Sequence, residues 1–187
     1  MNPRRIGVFG GTFDPFHNGH LALARVALER LELDRLEVFP AAIPPERNAP
    51  HASIRHRLAM ARAALSDTPA AFVSELDARH QRPAFTANLL RRLRRDNPGD
   101  ELVLLLGSDL ADAVPSWREG ERIGELATIA VVGRPGLTEA RATIGSSGET
   151  AAATLIRARL AAGEDIANLV PPAVRRYIER HKLYSRI

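Results

Sequence analysis

A glycine turn between a strand-like and a helix-like segment constrains the fold more than any other part of this chain. Residues 5–9 are mostly β-forming and run directly into Gly10 and Gly11. After the turn, residues 21–31 carry leucine, alanine and valine at helical spacing. A strand, a glycine turn and a helix in this order present bare backbone N–H groups and a helix N-terminus, and both favour binding of a phosphate.

The same turn carries two histidines in a pattern that suits phosphate chemistry. Gly10 and Gly11 have no Cβ, so a nucleotide can approach the main chain closely. His17 and His20 are three positions apart, which places both imidazoles on one side of the first helical turn. Two imidazoles above a phosphate-binding turn indicate stabilisation of a charged transition state at phosphorus.

Apolar periodicity predicts alternating strands and helices along the rest of the chain. Residues 102–106 form an uninterrupted apolar run, which is typical of a buried parallel strand. Alternating elements of this kind predict an α/β fold with a Rossmann-like, open, mostly parallel sheet and helices on both faces. The predicted strands are 5–10, 36–40, 71–76, 102–106 and 128–132, and the predicted helices are 19–31, 54–65, 85–96, 117–126, 154–162 and 170–178.

The length fits a single domain, 1–187, in which residues 154–187 form a helical C-terminal part. In an open parallel sheet, ligands bind beyond the carboxyl ends of the strands. The stretches that follow the predicted strands are also the richest in glycine, histidine, arginine and aspartate. We therefore expect the functional site to be formed by residues 10–20, 41–47, 77–86, 107–109 and 133–136.

Composition and charge exclude several classes of function. The chain has no cysteine, which excludes disulfides, thiolate catalysis and cysteine-ligated zinc. Its single lysine, Lys182, lies near the end, so the chain has no Walker A loop. The net charge of +4 permits nucleic-acid binding and suits anionic small molecules equally. Few aromatic residues (5%) leave no stacking platform for single strands, so we expect no nucleic-acid partner. The chain lacks a transmembrane run and a signal-peptide core, so we expect no membrane partner and a cytoplasmic location.

The string from Gly10 to His20 resembles, without a gap, the Gly-Thr-Phe-Asp-Pro and His-x-Gly-His motif of the adenylyltransferase branch of the nucleotidyltransferases. Further segments in the same order make the chain similar, nearly end to end, to the bacterial nicotinate-nucleotide adenylyltransferases. These segments are Ile43 to Pro45, His56 to Met60, Arg82 to Thr86, Gly107 to Asp109, Trp117, Arg134 to Gly136 and the ending from Val170 to Tyr184.

This resemblance implies transfer of AMP from ATP to nicotinate mononucleotide, which gives deamido-NAD and pyrophosphate by direct in-line attack on the α-phosphate. It implies His17 and His20 as the catalytic pair and Mg²⁺ bound with the ATP, and a homo-oligomer is compatible with it. The implied ATP-binding residues are Gly10, Gly11, Thr12, Phe13, His17, His20, Thr154 and Arg157. The implied mononucleotide-binding residues are Arg47, Thr86, Ser108, Asp109, Trp117, Arg118 and Arg134.

Three of these residues also fit a purely structural role. Thr154 fits a helix N-cap as well as a phosphate ligand. Asp109 fits a cap of the following helix as well as an acceptor for a ribose hydroxyl. Trp117 fits the hydrophobic core as well as a stacking partner for the pyridine ring.

One departure from the family pattern leaves other functions open. The family's Ile-Ser-Ser-Thr-x-Ile-Arg box appears here as Ala151 to Arg157 without either serine, and residues 137–150 form a short segment for the family. A catalytically degenerate nucleotide-binding module would also fit such a box. Phosphopantetheine adenylyltransferase shares the first motif, but Trp117 and residues 134–136 argue against it. A cytidylyltransferase fits less well because Gly-Gly-Thr-Phe-Asp-Pro is the adenylyl form of the motif.

Overall fold

The computed structural model describes residues 3–45, 48–79, 83–132 and 149–185. Strands and helices alternate through the described chain, as the periodicity predicted. The strands are β1 (Arg5–Gly11), β2 (Arg35–Pro40), β3 (Ala71–Val73), β4 (Glu101–Gly107) and β5 (Thr128–Val132). The α-helices are α1 (Asn18–Arg30), α2 (Ile54–Leu65), α3 (Thr86–Asp96), α4 (Ser108–Ala111), α5 (Ile123–Leu126), α6 (Glu149–Ala162) and α7 (Pro172–His181).

The five strands form one parallel sheet in the order β3-β2-β1-β4-β5. In the centre of the sheet, Val8 of β1 pairs with Glu37 of β2 on one side and with Leu104 of β4 on the other. The strand order therefore reverses at β1 and β4, and a crevice opens beyond the carboxyl ends of these two strands. The predicted Rossmann-like parallel sheet is confirmed.

Helices cover both faces of the sheet, as predicted. On one face, Phe9, Val38 and Leu105 pack against α1, α2, α6 and α7. On the other face, Val8 and Leu104 pack against α3 and α5. Because both faces are buried, β4 is apolar at consecutive positions rather than at alternate ones. Among the described helices, none combines the length and the apolar character that a membrane span requires.

Two predicted helix starts are wrong. Helix α6 begins at Glu149 rather than at Thr154. Trp117 does not begin a helix but ends a short 3₁₀ turn, Val114–Ser116. Small and polar residues lie at both places, and helical periodicity is weak there, so the local pattern could not fix the boundary. The polar sequence from Leu137 to Glu149 predicts mostly loop, with a short strand at 142–144 as an alternative; residues 137–148 lie outside the described part of the chain, and Glu149 already belongs to α6.

Replacing Gly120 with alanine should destabilise the fold, because a Cβ at this buried position would lie 1.9 Å from the carbonyl oxygen of Val114. We expect a loss on the order of 2 kcal/mol in the free energy of unfolding, measured by urea denaturation. Gly124→Ala is the matched control, since Gly124 is exposed on α5 and nothing lies within 4 Å of its absent Cβ. The control should be neutral or slightly stabilising, and an equal loss in both variants would contradict this steric explanation.

Candidate active site

The predicted glycine turn, residues 10–15, begins inside the sheet: Gly10 and Gly11 end β1, and the chain turns at Asp14 and Pro15. Aromatic rings support this segment, which is open where a ligand could approach. Phe13 has a left-handed backbone conformation with φ of 51°. Its ring stacks on that of Phe16, with the centroids 5.3 Å apart. Nothing lies within 4 Å of the Cβ that Gly10 lacks. A ligand can therefore reach the main chain of this turn without meeting a side chain at Gly10.

His17 and His20 form a reciprocal cap at the start of α1. Nδ1 of His20 accepts the backbone N–H of His17 at 3.2 Å, and Nδ1 of His17 accepts the backbone N–H of His20 at 3.4 Å. The two rings stack, with centroids 3.6 Å apart. Because each Nδ1 is an acceptor, the neutral form of each imidazole carries its proton on Nε2. The cap therefore sets the tautomer of both rings.

The surroundings of His20 keep its imidazole neutral. The residue is 5% exposed and lies against the rings of Phe9, Phe13 and Phe16. Burial, followed by the neighbouring His17, lowers the pKa of His20 well below its usual value. His20 is thus a neutral Nε2–H donor at pH 7, and an adjacent phosphate would raise its pKa again.

A cavity of about 530 Å³ opens beyond the carboxyl ends of β1, β2 and β4, where the sheet topology places a ligand site. Its volume suits a nucleotide-sized ligand. The cavity brings together nine of the residues that the sequence predicted for the site. They are Gly10, Gly11, Thr12, Phe13, His20, Thr86, Trp117, Arg118 and Arg157.

Other predicted site residues do not line this cavity or lie outside the described part of the chain. His17 is 1% exposed and reaches the cavity wall only through its contact with His20. Thr154 is likewise absent from the wall. The main chain of Ser108 and Asp109 begins α4 directly after β4. The side chains of Ser108 and Asp109, and the whole of Arg47 and Arg134, lie outside the described residues.

Helix α6 positions Arg157 beside the glycine turn. Because this helix begins at Glu149, Thr154 lies inside it, and the N-cap alternative for Thr154 is wrong. The Thr154 hydroxyl instead accepts a hydrogen bond from Nη2 of Arg157 at 3.2 Å. Nη1 of Arg157 donates to the main-chain carbonyl of Asp14 at 2.7 Å. Two hydrogen bonds thus orient a guanidinium on the cavity wall.

Another part of the wall combines aromatic rings, a cation and a helix N-terminus. Helix α3 begins at Thr86, and no side chain caps it, since the preceding residue is Phe85. The guanidinium carbon of Arg118 lies 4.9 Å from the centroid of the Phe85 ring. Trp117 packs against the core and also lines the cavity, so its core role is confirmed, whereas its stacking on a pyridine ring stays a prediction. Uncapped N–H groups beside aromatic faces can bind a planar anion.

Arg57 is an important residue that was not predicted as part of the site. Its side chain is 1% exposed, and each of its three nitrogens donates to a main-chain carbonyl. Nε donates to Ala52 at 3.1 Å, Nη1 to Thr12 at 2.7 Å and Nη2 to Ala42 at 3.3 Å. Burial lowers the pKa of Arg57, while the charge of Asp14 opposes that shift, and a guanidinium remains protonated.

Arg57 therefore ties together three segments around the cavity: the turn after β1, the loop after β2 and the chain that enters α2. The sequence does contain a signal for this. Arg57 stands among Leu58, Ala61 and Ala64 on the buried stripe of α2. An arginine at an apolar position of a helix indicates a buried charge that needs partners.

Asp14 and His51 also line the cavity, although neither was predicted as a ligand contact. The Asp14 carboxylate is 5% exposed and accepts the backbone N–H groups of His51 at 2.7 Å and Ala52 at 3.0 Å. Nδ1 of His51 lies 3.4 Å from Oδ2 of Asp14, and the His51 side chain is 64% exposed. The Asp-Pro dipeptide of the motif was a signal for Asp14, whereas His51 had none.

Several known proteins are similar to this chain over nearly its whole length. The model of the cytidylyltransferase-like family matches residues 8–175. A protein of Thermomicrobium roseum named "probable nicotinate-nucleotide adenylyltransferase" is 40% identical, over 98% of this chain and 92% of its own length. A protein of the same name from Thermus thermophilus is 42% identical, over 96% of this chain and 99% of its own.

Solved structures share the fold at lower identity. Nicotinic acid mononucleotide adenylyltransferase of Plasmodium falciparum, in complex with NaAD, superposes with a TM-score of 0.80. The two sequences are 20% identical, and the match covers 97% of each chain. The parallel sheet with helices on both faces is therefore common to proteins whose sequences have diverged widely.

Replacing Arg57 with methionine should destabilise the protein by about 3 kcal/mol, because one buried and two partly buried carbonyls would lose their donor at roughly 1–3 kcal/mol each, with partial relaxation. Urea denaturation would measure the loss. Arg55→Met is the matched control on the exposed side of the same helix, and it should change stability by less than about 0.5 kcal/mol. Equal losses in the two variants would show that these three hydrogen bonds do not hold the loops.

Proposed function

The chain belongs to the nicotinate-nucleotide adenylyltransferase family, and we propose that it transfers the AMP group of ATP to nicotinate mononucleotide, giving deamido-NAD and pyrophosphate. This proposal rests on one cavity whose wall has two parts of different chemistry. One part has a bare glycine turn, His20 and Arg157, which suit a triphosphate. Another part has Trp117 and the uncapped start of α3, which suit an anionic aromatic ring.

The mononucleotide phosphate would attack the α-phosphorus of ATP in line, with pyrophosphate leaving on the far side. Such a transfer needs positioning and charge stabilisation rather than a covalent enzyme intermediate. His20 would donate from Nε2 to the α-phosphate and the leaving oxygen, because its cap leaves that nitrogen as the donor. His17 would hold phosphate oxygens after a small movement of the stacked pair. Backbone N–H groups at Thr12 and Phe13, which follow the paired end of β1, would add donors.

Arg157 would bind the β- and γ-phosphates, and Thr154 would orient it through the hydrogen bond at 3.2 Å. The carbonyl of Asp14 already fixes the other side of this guanidinium. This role does not need the two serines that the family box has and this chain lacks. The retained Arg157 therefore favours an active enzyme over a degenerate nucleotide-binding module.

Mg²⁺ would enter with the ATP and would neutralise charge on the phosphate oxygens. Within the described residues, no group of three or more histidine, aspartate or glutamate side chains could hold a metal ion. The carboxylate of Asp14 is engaged by backbone donors. We therefore assign the ligands of Mg²⁺ mainly to the nucleotide and to water, as is common for this ion.

The start of α3 would select the nicotinate ring by its carboxylate. Uncapped N–H groups near Thr86, with the Trp117–Arg118 turn, would donate to both carboxylate oxygens, while Trp117 would stack on the ring. A carboxamide offers one acceptor and an NH₂ group, whose hydrogens would confront those donors. Further mononucleotide contacts are proposed for Arg47, Ser108, Asp109 and Arg134.

Purified protein should release pyrophosphate from ATP with nicotinate mononucleotide and form deamido-NAD, which mass spectrometry can identify. Nicotinamide mononucleotide should react with a kcat/KM lower by roughly a hundredfold, because two N–H groups would lose their acceptors at about 1–3 kcal/mol each. Phosphopantetheine serves as the control acceptor. The proposal fails if nicotinate mononucleotide gives no product or if phosphopantetheine reacts faster.

His20→Asn should lower kcat by roughly a hundredfold, about 2.7 kcal/mol, because the variant lacks the Nε2–H donor. The Oδ1 atom of asparagine takes the place of Nδ1 and can still accept the His17 N–H, so the melting temperature should change little. His181→Asn makes the same substitution on the exposed side of α7 and should keep kcat within about twofold. A normal kcat for His20→Asn would remove this residue from the mechanism.

A further inference from the structure

Asp14, a residue of the glycine turn for which no ligand contact was predicted, connects the turn to three distant segments of the chain. Its carboxylate accepts from the backbone of His51 and Ala52 and from the hydroxyl of Tyr184, which donates to Oδ1 at 2.7 Å. Its main-chain carbonyl accepts from Arg157 at 2.7 Å. One residue of the glycine turn thus joins the chain before α2, helix α6 and the C-terminal segment.

Tyr184 has an unfavourable backbone conformation. Its φ is 65°, in the left-handed region that bulky side chains rarely adopt. Such a conformation persists only where the surrounding structure determines it, and such residues cluster at functional sites. The ring packs against the hydrophobic cluster that includes Phe9 and Val174, and the hydroxyl donates a hydrogen bond to Asp14.

The Tyr184 hydroxyl is a permanent donor in this environment. Burial, followed by the charge of Asp14, raises the pKa of Tyr184. The phenol therefore stays protonated and donates at any pH at which the protein works. A neutral donor to a buried carboxylate forms a charge-assisted hydrogen bond, which is stronger and more directional than one between neutral groups.

We propose that Tyr184 is a positioning residue for the ATP side of the active site: through its hydrogen bond to Asp14 it fixes the glycine turn, residues 51–52 and Arg157 as one wall. Tyr184 does not itself line the cavity, whereas Asp14, His51 and Arg157 do. Its action on the ligand is therefore indirect. This inference rests on the proposed function for its catalytic consequence, but the hydrogen bond can be tested without it.

The position of Asp14 gives the inference a specific kinetic consequence. Asp14 follows Gly10 to Phe13 and bonds to Arg157, so it belongs to the proposed triphosphate part of the wall. Thr86, Trp117 and Arg118 form the proposed nicotinate part, and no hydrogen bond of Tyr184 among the described residues reaches them. Loss of the tyrosine hydroxyl should therefore weaken ATP binding and leave nicotinate mononucleotide binding nearly unchanged.

Tyr184→Phe removes the hydroxyl and keeps the ring. We expect the KM for ATP to rise about five- to tenfold and the KM for nicotinate mononucleotide to change less than twofold. Tyr177→Phe is the matched control, because Tyr177 also loses one hydrogen bond, to Nδ1 of His56 at 3.0 Å, away from the cavity. An unchanged KM for ATP, equal changes in both KM values, or the same effect from Tyr177→Phe would overturn the inference.

Hydrogen–deuterium exchange separates this inference from the proposed function. The amides of His51 and Ala52 donate to Asp14, so they should exchange faster in Tyr184→Phe than in the wild type or in Tyr177→Phe. If the wild type shows no adenylyl transfer, the proposed function fails. The effect of Tyr184→Phe on ATP binding is then measured by the dissociation constant for ATP instead of by KM. Unchanged exchange at both amides would overturn the inference whatever the activity.

Discussion

The buried guanidinium of Arg57 is the interaction on which the shape of the cavity depends. A charge that is 1% exposed is stable only with hydrogen-bond partners, and here each nitrogen of the guanidinium donates to a main-chain carbonyl. Because the C=O and N–H of a trans peptide point in opposite directions, the Thr12 carbonyl that faces Arg57 turns the Phe13 N–H away from it. One side chain of α2 thus sets the direction of backbone donors in the glycine turn.

The site combines fixed positive charge with neutral donors. Arg57 and Arg157 supply charge near the glycine turn, and each is oriented by main-chain carbonyls. His20 supplies a neutral donor, because burial lowers its pKa and the reciprocal cap fixes its tautomer. Donors that are oriented before the reaction need little rearrangement when negative charge develops on phosphate oxygens, and such preorganisation is the main way in which proteins accelerate these reactions.

Most of the fold and part of the site could be predicted from the sequence. Strand β4 was predicted because its apolar run has no polar interruption, and the parallel order followed from helices between successive strands. Gly10, His20, Trp117 and Arg157 were predicted as site residues, and in the structure all four line the same cavity. The start of α6 was not predictable in this way, because small residues such as Ala151 and Ala152 fit a helix and a loop equally well.

The sequence by itself determined the types of the elements, their order and the edge of the sheet at which the site lies. Those properties depend on local periodicity, on turn residues and on the way parallel strands must be connected. Only the tertiary structure decided that Tyr184 donates a hydrogen bond to Asp14, that Arg57 donates to three main-chain carbonyls and that His51 lines the cavity. Hydrogen bonds between residues so far apart in the chain depend on how the helices pack on the sheet. No local sequence pattern predicts that packing.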